Sequence, residues 1–233
     1  MIRNECRLRF WVLLLSLLTA PVRAGQPLVT DDAAIVTPRT CQLEAWLHST
    51  ADRREYWVQP ACNFTGDLEL DLAGARAKLD TGESSGTVQL QAKTVLLTLG
   101  ERVWSFGMSA GATRDAGAPH GSSAFQLYYV KALASWYPRR NLQIDLNLGA
   151  ANAYGSGTFA LGAAAIQYAI VDNLQLLGEA FRDEPGRSKY QAGARYIIVP
   201  DRFEAYASYG NRFNASDQRS MIVGIRVQTA IFH

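Results

Sequence analysis

Apolar and polar residues alternate with a period of two along most of the chain beyond residue 40. The clearest run covers 141–149, where every second position is occupied by Leu142, Ile144, Leu146 and Leu148. Runs of the same kind cover 67–74, 103–112, 188–198 and 221–231. Because successive side chains of a β-strand point to opposite faces, the pattern predicts strands with one apolar and one polar face.

Turn-forming residues divide the chain into twelve predicted strands. The clearest turn signals are Gly66-Asp67, Asp172-Asn173 and Pro200-Asp201, since Gly, Pro, Asn and Asp favour turn conformations. The predicted strands cover 40–49, 55–64, 67–79, 87–99, 102–113, 123–137, 141–154, 158–171, 174–182, 188–199, 202–210 and 219–231. Short connections alternate with longer polar ones such as 80–86, 114–122 and 211–218. This alternation is typical of outer-membrane barrels, which have short periplasmic turns and longer extracellular loops.

A soluble β-sandwich would also have alternating strands, but its outward face must be strongly polar. In this chain only 19% of the residues are charged, and the apolar face is often aromatic. A tilted strand of about 10 residues spans about 25 Å, the height of the apolar band of an outer-membrane barrel. We therefore predict an all-β protein, a transmembrane antiparallel up-and-down β-barrel of about 12 strands over residues 40–233. A soluble secreted β-protein that binds a ligand is the weaker alternative.

Residues 1–24 have the pattern of a secretory signal peptide. Arg3, Arg7 and Arg9 precede a short apolar run from Phe10 to Leu18, and Val22-Arg23-Ala24 leads to a cleavage site before Gly25. This leader holds four of the 23 Lys and Arg residues and one of the 21 Asp and Glu residues, which leaves 19 basic and 20 acidic residues. The near-neutral remainder excludes an overtly basic nucleic-acid binder. Together with the predicted barrel, the leader predicts export to the bacterial outer membrane.

The segment 25–39 does not have the pattern of a strand. Thr30-Asp31-Asp32 and Pro38 favour turns, so we expect a periplasmic N-terminal segment that either folds into the lumen as a plug or acts as a plain tether. At the other end, 227–233 has the alternation of a strand with Phe232 next to last. It resembles the C-terminal strand that the outer-membrane assembly machinery reads. That machinery and the outer-membrane lipids are the expected partners.

Two cysteines remain beyond the leader, Cys41 and Cys62. If the first hairpin turns at Ala51-Asp52, residue i lies opposite residue 103 − i, which places Cys41 opposite Cys62 and Trp46 opposite Trp57. Opposed strand residues are close enough for a disulfide, and exported proteins meet an oxidising compartment. We predict a structural disulfide, with two reduced cysteines on the apolar face as the alternative.

Ionisable residues recur on the polar face and are predicted to point into the lumen. They are Glu44, Glu69, Asp71, Lys93, Asp145, Glu179, Lys189, Arg195, Glu204 and Arg226. One interpretation is a paired network that fills a narrow barrel, because charges in a low-dielectric interior must be paired. The other is a charged constriction that selects small solutes, as rings of charge do in channels.

Catalysis by a serine and a histidine would require the two side chains to meet with an acidic partner. The chain has three histidines, His48, His120 and His233. His48 lies beside Ser49 near a strand end, His120 lies in a flexible loop and His233 is the terminus. We therefore predict no enzyme activity, no catalytic or metal-binding residues and no cofactor.

The start of the predicted mature chain, Gln26-Pro27-Leu28-Val29-Thr30-Asp31-Asp32-Ala33, resembles a known family. Further matching segments are Gly66-Asp67-Leu68-Glu69-Leu70, Leu90-Gln91-Ala92-Lys93, Leu177-Gly178-Glu179-Ala180-Phe181 and Gln191-Ala192-Gly193-Ala194-Arg195-Tyr196. The family is labelled "MetA-pathway of phenol degradation" and comprises outer-membrane β-barrels. The resemblance implies a channel or transporter for passive passage of small solutes, hydrophobic or aromatic ones included, and it transfers no catalytic residues. The alternative is a structural or interaction barrel of the cell envelope with a filled polar lumen and no transport.

Overall fold

A computed structural model describes residues 28–100, 103–116, 123–185 and 187–229, and at 215–218 it describes the backbone alone. The predicted signal peptide, the loop residue His120 and the C-terminal residues Phe232 and His233 lie outside these ranges. Among the residues described, no helix is long and apolar enough to cross a membrane.

Twelve antiparallel strands form one sheet that closes on itself. Each strand pairs with the next along the chain, and the last strand pairs with the first. The strands are β1 (Thr40–Thr50), β2 (Arg53–Asn63), β3 (Leu68–Leu79), β4 (Ser84–Leu99), β5 (Trp104–Asp115), β6 (Leu127–Arg139), β7 (Leu142–Ala153), β8 (Gly157–Val171), β9 (Leu174–Glu184), β10 (Arg187–Val199), β11 (Phe203–Arg212) and β12 (Ala215–Gln228). The predicted 12-stranded up-and-down barrel is confirmed.

The barrel has two ends, which we name after their connections. At the turn end lie 64–67, 100–103, 140–141, 172–173 and 200–202, and at the loop end lie 51–52, 80–83, 116–126, 154–156, 185–186 and 213–214. The predicted contrast in length is weak, because 116–126 is the one connection between these strands that exceeds four residues. The polar stretch 211–218 is mostly strand, since β11 and β12 pair up to Arg212 and Ala215.

The outward face of the barrel carries the apolar half of the alternation. Leu148 is 72% exposed, and further large apolar residues from all around the barrel are between 42% and 49% exposed. They include Leu43, Leu70, Leu90, Val130, Leu146, Ile166, Leu176, Ile198 and Ile225. A continuous apolar surface of this size would drive aggregation in water, but it matches the acyl chains of a bilayer.

The first hairpin has the register that the sequence predicts. Cys41 pairs with Cys62 and Trp46 pairs with Trp57. The two cysteines form a disulfide, with their Cα atoms 4.1 Å apart, which confirms the predicted bond. The two indole rings stack with their centroids 5.4 Å apart. The disulfide joins β1 and β2 near the turn end, whereas the stacked rings lie on the inward face.

Candidate functional site in the barrel lumen

The polar half of the alternation faces the lumen, where most of its side chains are buried. All ten ionisable residues singled out from the sequence occupy inward strand positions, but they do not form one ring. Instead they divide into separate groups at different heights. Glu44, Arg195, Glu204 and Arg226 meet at the turn end, Glu69, Asp71 and Lys93 lie together on β3 and β4, and Asp145, Glu179 and Lys189 each have other partners.

A segment that precedes β1 lies inside the barrel. Residues 28–39, which we call the lumenal segment, begin with Leu28 packed against Ala165 and Leu177 and end at the turn end, where the amide of Arg39 donates to the carbonyl of Asn63 at 2.7 Å. The sequence left open whether this segment is a plug or a tether, and residues 28–39 lie in the lumen as a plug. Leu28 and Val36 are both almost completely buried.

Inward side chains of the barrel satisfy the backbone of the lumenal segment. The amides of Val29 and Thr30 each donate to the Glu179 carboxylate at 2.8 Å, and the Thr30 hydroxyl donates to it at 2.5 Å. Asn147 exchanges two hydrogen bonds of 2.7 Å with the backbone of Asp31. Since an irregular segment has no strand or helix partners for its N–H and C=O groups, these side chains supply the missing ones.

Three further contacts hold the segment closer to the turn end. The amide of Ala33 donates to the Ser135 hydroxyl at 2.8 Å, and the amide of Val36 donates to the Glu69 carboxylate at 2.5 Å. The side-chain amide of Asn63 donates to the Val36 carbonyl at 2.7 Å. The contacts come from β2, β3 and β6, so the segment is held from several sides of the barrel.

Two acidic residues of the lumenal segment pair with lysines of the wall. Asp31 contacts Lys131, and Asp32 lies 3.2 Å from Lys93, which also lies 3.5 Å from Glu69. Burial opposes ionisation of Asp31, but Lys131 and Lys93 outweigh it and hold the pKa of that carboxyl below its usual value. Asp31 is therefore a carboxylate at neutral pH and helps to hold the segment in place.

A dense polar network fills the turn end around the segment. Asp145 is fully buried and accepts hydrogen bonds from Ser135 at 2.6 Å, Gln143 at 2.9 Å and Gln167 at 2.9 Å. Arg195 is also buried and donates to Gln167 at 3.2 Å. Arg226 pairs with Glu204 at 2.5 Å. Every one of these groups lies within a few residues of a turn-end strand terminus, so buried polar side chains pack this half of the lumen.

An open cavity of about 520 Å³ extends from the loop end of the lumen to the level of Glu44 and Glu69. Its floor includes Leu28, Val29 and Asp31 of the lumenal segment, and aromatic side chains of the wall include Trp57, Tyr129 and Phe181. Its described charged lining is mixed. The acidic residues are Asp31, Glu44, Glu55, Glu69, Asp71 and Asp183, and the basic residues are Lys93, Lys131, Arg182, Lys189 and Arg212. A volume of this size suits a small molecule.

Several lumenal residues were missed by the sequence argument. Lys131 and Tyr129 face the lumen from β6, but Leu133 shares that face and is buried, so the strand lacks a clean polar pattern. In the sequence, Asp31 and Asp32 indicated a turn and gave no sign of a contact with the barrel wall. Within the described ranges, no group of three or more His, Cys, Asp or Glu side chains could hold a metal ion.

The closed sheet, the exposed apolar belt and the polar lumen define a porin-like transmembrane β-barrel with a disulfide-bonded cysteine pair. The chain belongs to the family described as "Uncharacterised conserved protein UCP029691", whose model matches residues 12–229. A comparison with curated protein sequences gave no match.

Solved structures with a similar fold are outer-membrane channels. A KdgM porin is 12% identical with a TM-score of 0.63, over 82% of this chain and 99% of that chain. The COG4313 outer membrane channel from Pseudomonas putida F1 is 12% identical with a TM-score of 0.61, over 90% of this chain and 100% of that chain. A NanC porin is 12% identical with a TM-score of 0.59, over 80% of this chain and 98% of that chain. At such low identity the likeness establishes the fold alone.

Proposed function

We propose that this protein is an outer-membrane channel through which small solutes pass passively when the lumenal segment moves aside. The observation that carries the proposal is the contrast between a cavity open at the loop end and a turn-end closure that includes a non-covalently held segment. Hydrogen bonds and ion pairs such as Asp31–Lys131 can exchange with water, so this part of the closure is reversible.

The proposed orientation places the turn end in the periplasm and the loop end outside the cell. The exposed apolar belt then contacts the outer-membrane lipids, and the outer-membrane assembly machinery inserts the barrel. The lumenal segment begins three residues after the predicted leader, so after export it would start on the periplasmic side, at the end of the barrel that it fills.

For the solute we propose a small, hydrophobic or aromatic molecule. The cavity presents the rings of Trp57, Tyr129 and Phe181, and its mixed charges create no field of one sign that would collect large ions. The resemblance to the MetA-pathway of phenol degradation family supports the same class. One similar solved structure is of a KdgM porin in complex with disordered oligogalacturonate. The limited cavity volume favours a smaller solute here.

Planar-bilayer conductance tests the proposal. The Ala33 amide lies 2.8 Å from the Ser135 hydroxyl, so an A33C/S135C pair is expected to lock the lumenal segment in place. We expect discrete conductance steps for the parent protein, none for the oxidised pair, and recovery on reduction. The single variants A33C and S135C serve as controls for the substitutions and for reduction of the native disulfide.

The second candidate function is a structural or interaction barrel without transport. The observation that favours it is the buried network around Asp145 and Arg195, which belongs to the wall and does not leave with the segment. A correctly folded protein that stays silent in the bilayer, both as the parent and after release of the lumenal segment, would overturn the channel and support this function.

A further inference from the structure

Three side chains from three strands meet at the loop end of the lumen, outside the contacts of the lumenal segment. Nδ1 of His48 lies 3.0 Å from Oε2 of Glu55, and Nε2 of the same ring lies 2.9 Å from the hydroxyl oxygen of Ser220. Serine hydrolases use the same arrangement, in which a serine nucleophile contacts a histidine base and the histidine contacts an acidic partner. Both distances are in the range for hydrogen bonds.

The closure of the barrel brings these residues together. His48 pairs with Glu55 in the first hairpin, and Ser220 pairs with Thr50 where β12 meets β1. All three therefore project inward at neighbouring positions, and all three line the open cavity. His48 and Ser220 are 172 residues apart in the sequence.

The acidic member is held in a fixed orientation. One carboxylate oxygen of Glu55 pairs with Arg53 at 2.5 Å, and the other accepts from the indole N–H of Trp57 at 2.9 Å. Since a carboxylate only accepts hydrogen bonds, Nδ1 of His48 must carry the proton that faces it. In the neutral ring Nε2 is then the unprotonated nitrogen, in position to accept the proton of the Ser220 hydroxyl.

We propose that Ser220, His48 and Glu55 form a hydrolytic site for small carboxylic esters. The Ser220 oxygen attacks the ester carbonyl while Nε2 of His48 takes its proton, and the same nitrogen then protonates the leaving alkoxide to release an alcohol. Water, deprotonated by His48, next attacks the acyl-serine. This step releases the carboxylic acid and restores the Ser220 hydroxyl. Glu55 is a positioning residue that orients the ring and stabilises the imidazolium.

The surroundings of the site indicate the acyl group. Trp46, Trp57 and Ile222 lie on the same inward faces, each two residues further from the loop end than one of the three polar residues of the site. They pack together as an apolar cluster. Because this cluster lies directly beside the three polar residues, it suits an apolar or aromatic acyl chain. The site faces the lumen and the cavity is about 520 Å³, so a small ester fits and a bilayer lipid does not reach it.

The negative charge that develops on the carbonyl oxygen of the ester needs a hydrogen-bond donor. Gly210 is the register partner of Ser220 on β11 and has no side chain to block access. Arg212 follows on the same inward face and lines the cavity. In the proposed site its guanidinium is the donor for this negative charge.

The test uses the purified mature protein in a detergent without ester bonds. We expect hydrolysis of p-nitrophenyl butyrate above the blank, and covalent labelling of Ser220 by a fluorophosphonate probe, located by mass spectrometry. S220A and H48Q should each lose at least about 100-fold in kcat/KM. E55Q should lower kcat with KM nearly unchanged, because its role is to orient the base.

The matched control is S49A. Ser49 is adjacent to His48 on β1 but lies on the outward face, so its loss should leave both hydrolysis and labelling unchanged. A parent rate equal to the blank, or an S220A variant that folds and keeps the parent rate, would overturn the hydrolytic site. Probe labelling of the parent at a residue other than Ser220 would overturn it as well. These outcomes are independent of conductance, so the ester site and the channel can fail separately.

Discussion

The two halves of the lumen differ although the same alternation builds both. At the turn end, Gln143, Gln167 and Arg195 are almost completely buried and cross-linked by hydrogen bonds. At the loop end, Lys189 retains 29% side-chain exposure beside a cavity of about 520 Å³. Strand pattern alone therefore does not decide whether a barrel is filled. The length of the inward side chains and the inserted segment decide it.

The difference also separates two roles for buried charge. In the filled half, charges stabilise the wall, and removal of one partner leaves another buried and uncompensated. In the open half, charges such as Lys189 and Asp183 remain in contact with water and contribute little to stability, so they are free to act on a solute. Four sets of substitutions test this comparison, in decreasing order of the expected effect.

The largest effect is expected for R195M. Arg195 lies 3.5 Å from Glu204 and 3.2 Å from Gln167 in a buried environment, and we expect its loss to lower the free energy of unfolding by about 4 kcal/mol. The control in the open half is K189M, for which we expect at most about 1 kcal/mol because its partners are exposed. Urea unfolding in lipid vesicles, followed by tryptophan fluorescence, measures both. Equal losses would contradict the contrast between the halves.

The disulfide gives the next largest effect. The bond joins residues separated by 21 positions at the turn end of the first hairpin, and its removal in C41S/C62S should lower the free energy of unfolding by about 3 kcal/mol. The same unfolding assay measures the change. A reductant should destabilise the parent and leave the double variant unaffected, and a reductant effect on both would point to a cause other than this bond.

Release of the lumenal segment is the third test. Glu179 accepts the amides of Val29 and Thr30, so E179A should weaken docking of the segment by about 2 kcal/mol, roughly a 30-fold change in the open fraction. Single-channel recording measures the open probability. E83A serves as the control, since Glu83 is exposed in a loop-end connection. An unchanged open probability in E179A would show that the lumenal segment does not gate the channel.

The smallest effect concerns the junction between the two halves. Trp46 and Trp57 stack with centroids 5.4 Å apart, and a double-mutant cycle of W46L and W57L should give a coupling free energy of about 1 kcal/mol. The cycle is measured by unfolding of the parent, the two single variants and the double variant. Additive losses would show that the rings contribute by burial alone.

Local pattern was enough to predict the wall of the barrel. The twelve strands, the pairing of Cys41 with Cys62 and the inward direction of residues such as Asp145 follow from a period of two and from turn residues, which act over short distances. The prediction was weaker where polar residues continue a strand, because 211–218 has the composition of a loop but lies mostly in β11 and β12.

What the sequence by itself determined is therefore the sheet: its strand number, its two faces and its first hairpin. What only the tertiary structure decided is the content of the lumen. Closure pairs β12 with β1 and sets Ser220 beside His48, and it also sets Glu179 beside the lumenal segment. The physical reason is that tilt and stagger of all twelve strands determine which inward side chains meet, and no local pattern encodes those quantities.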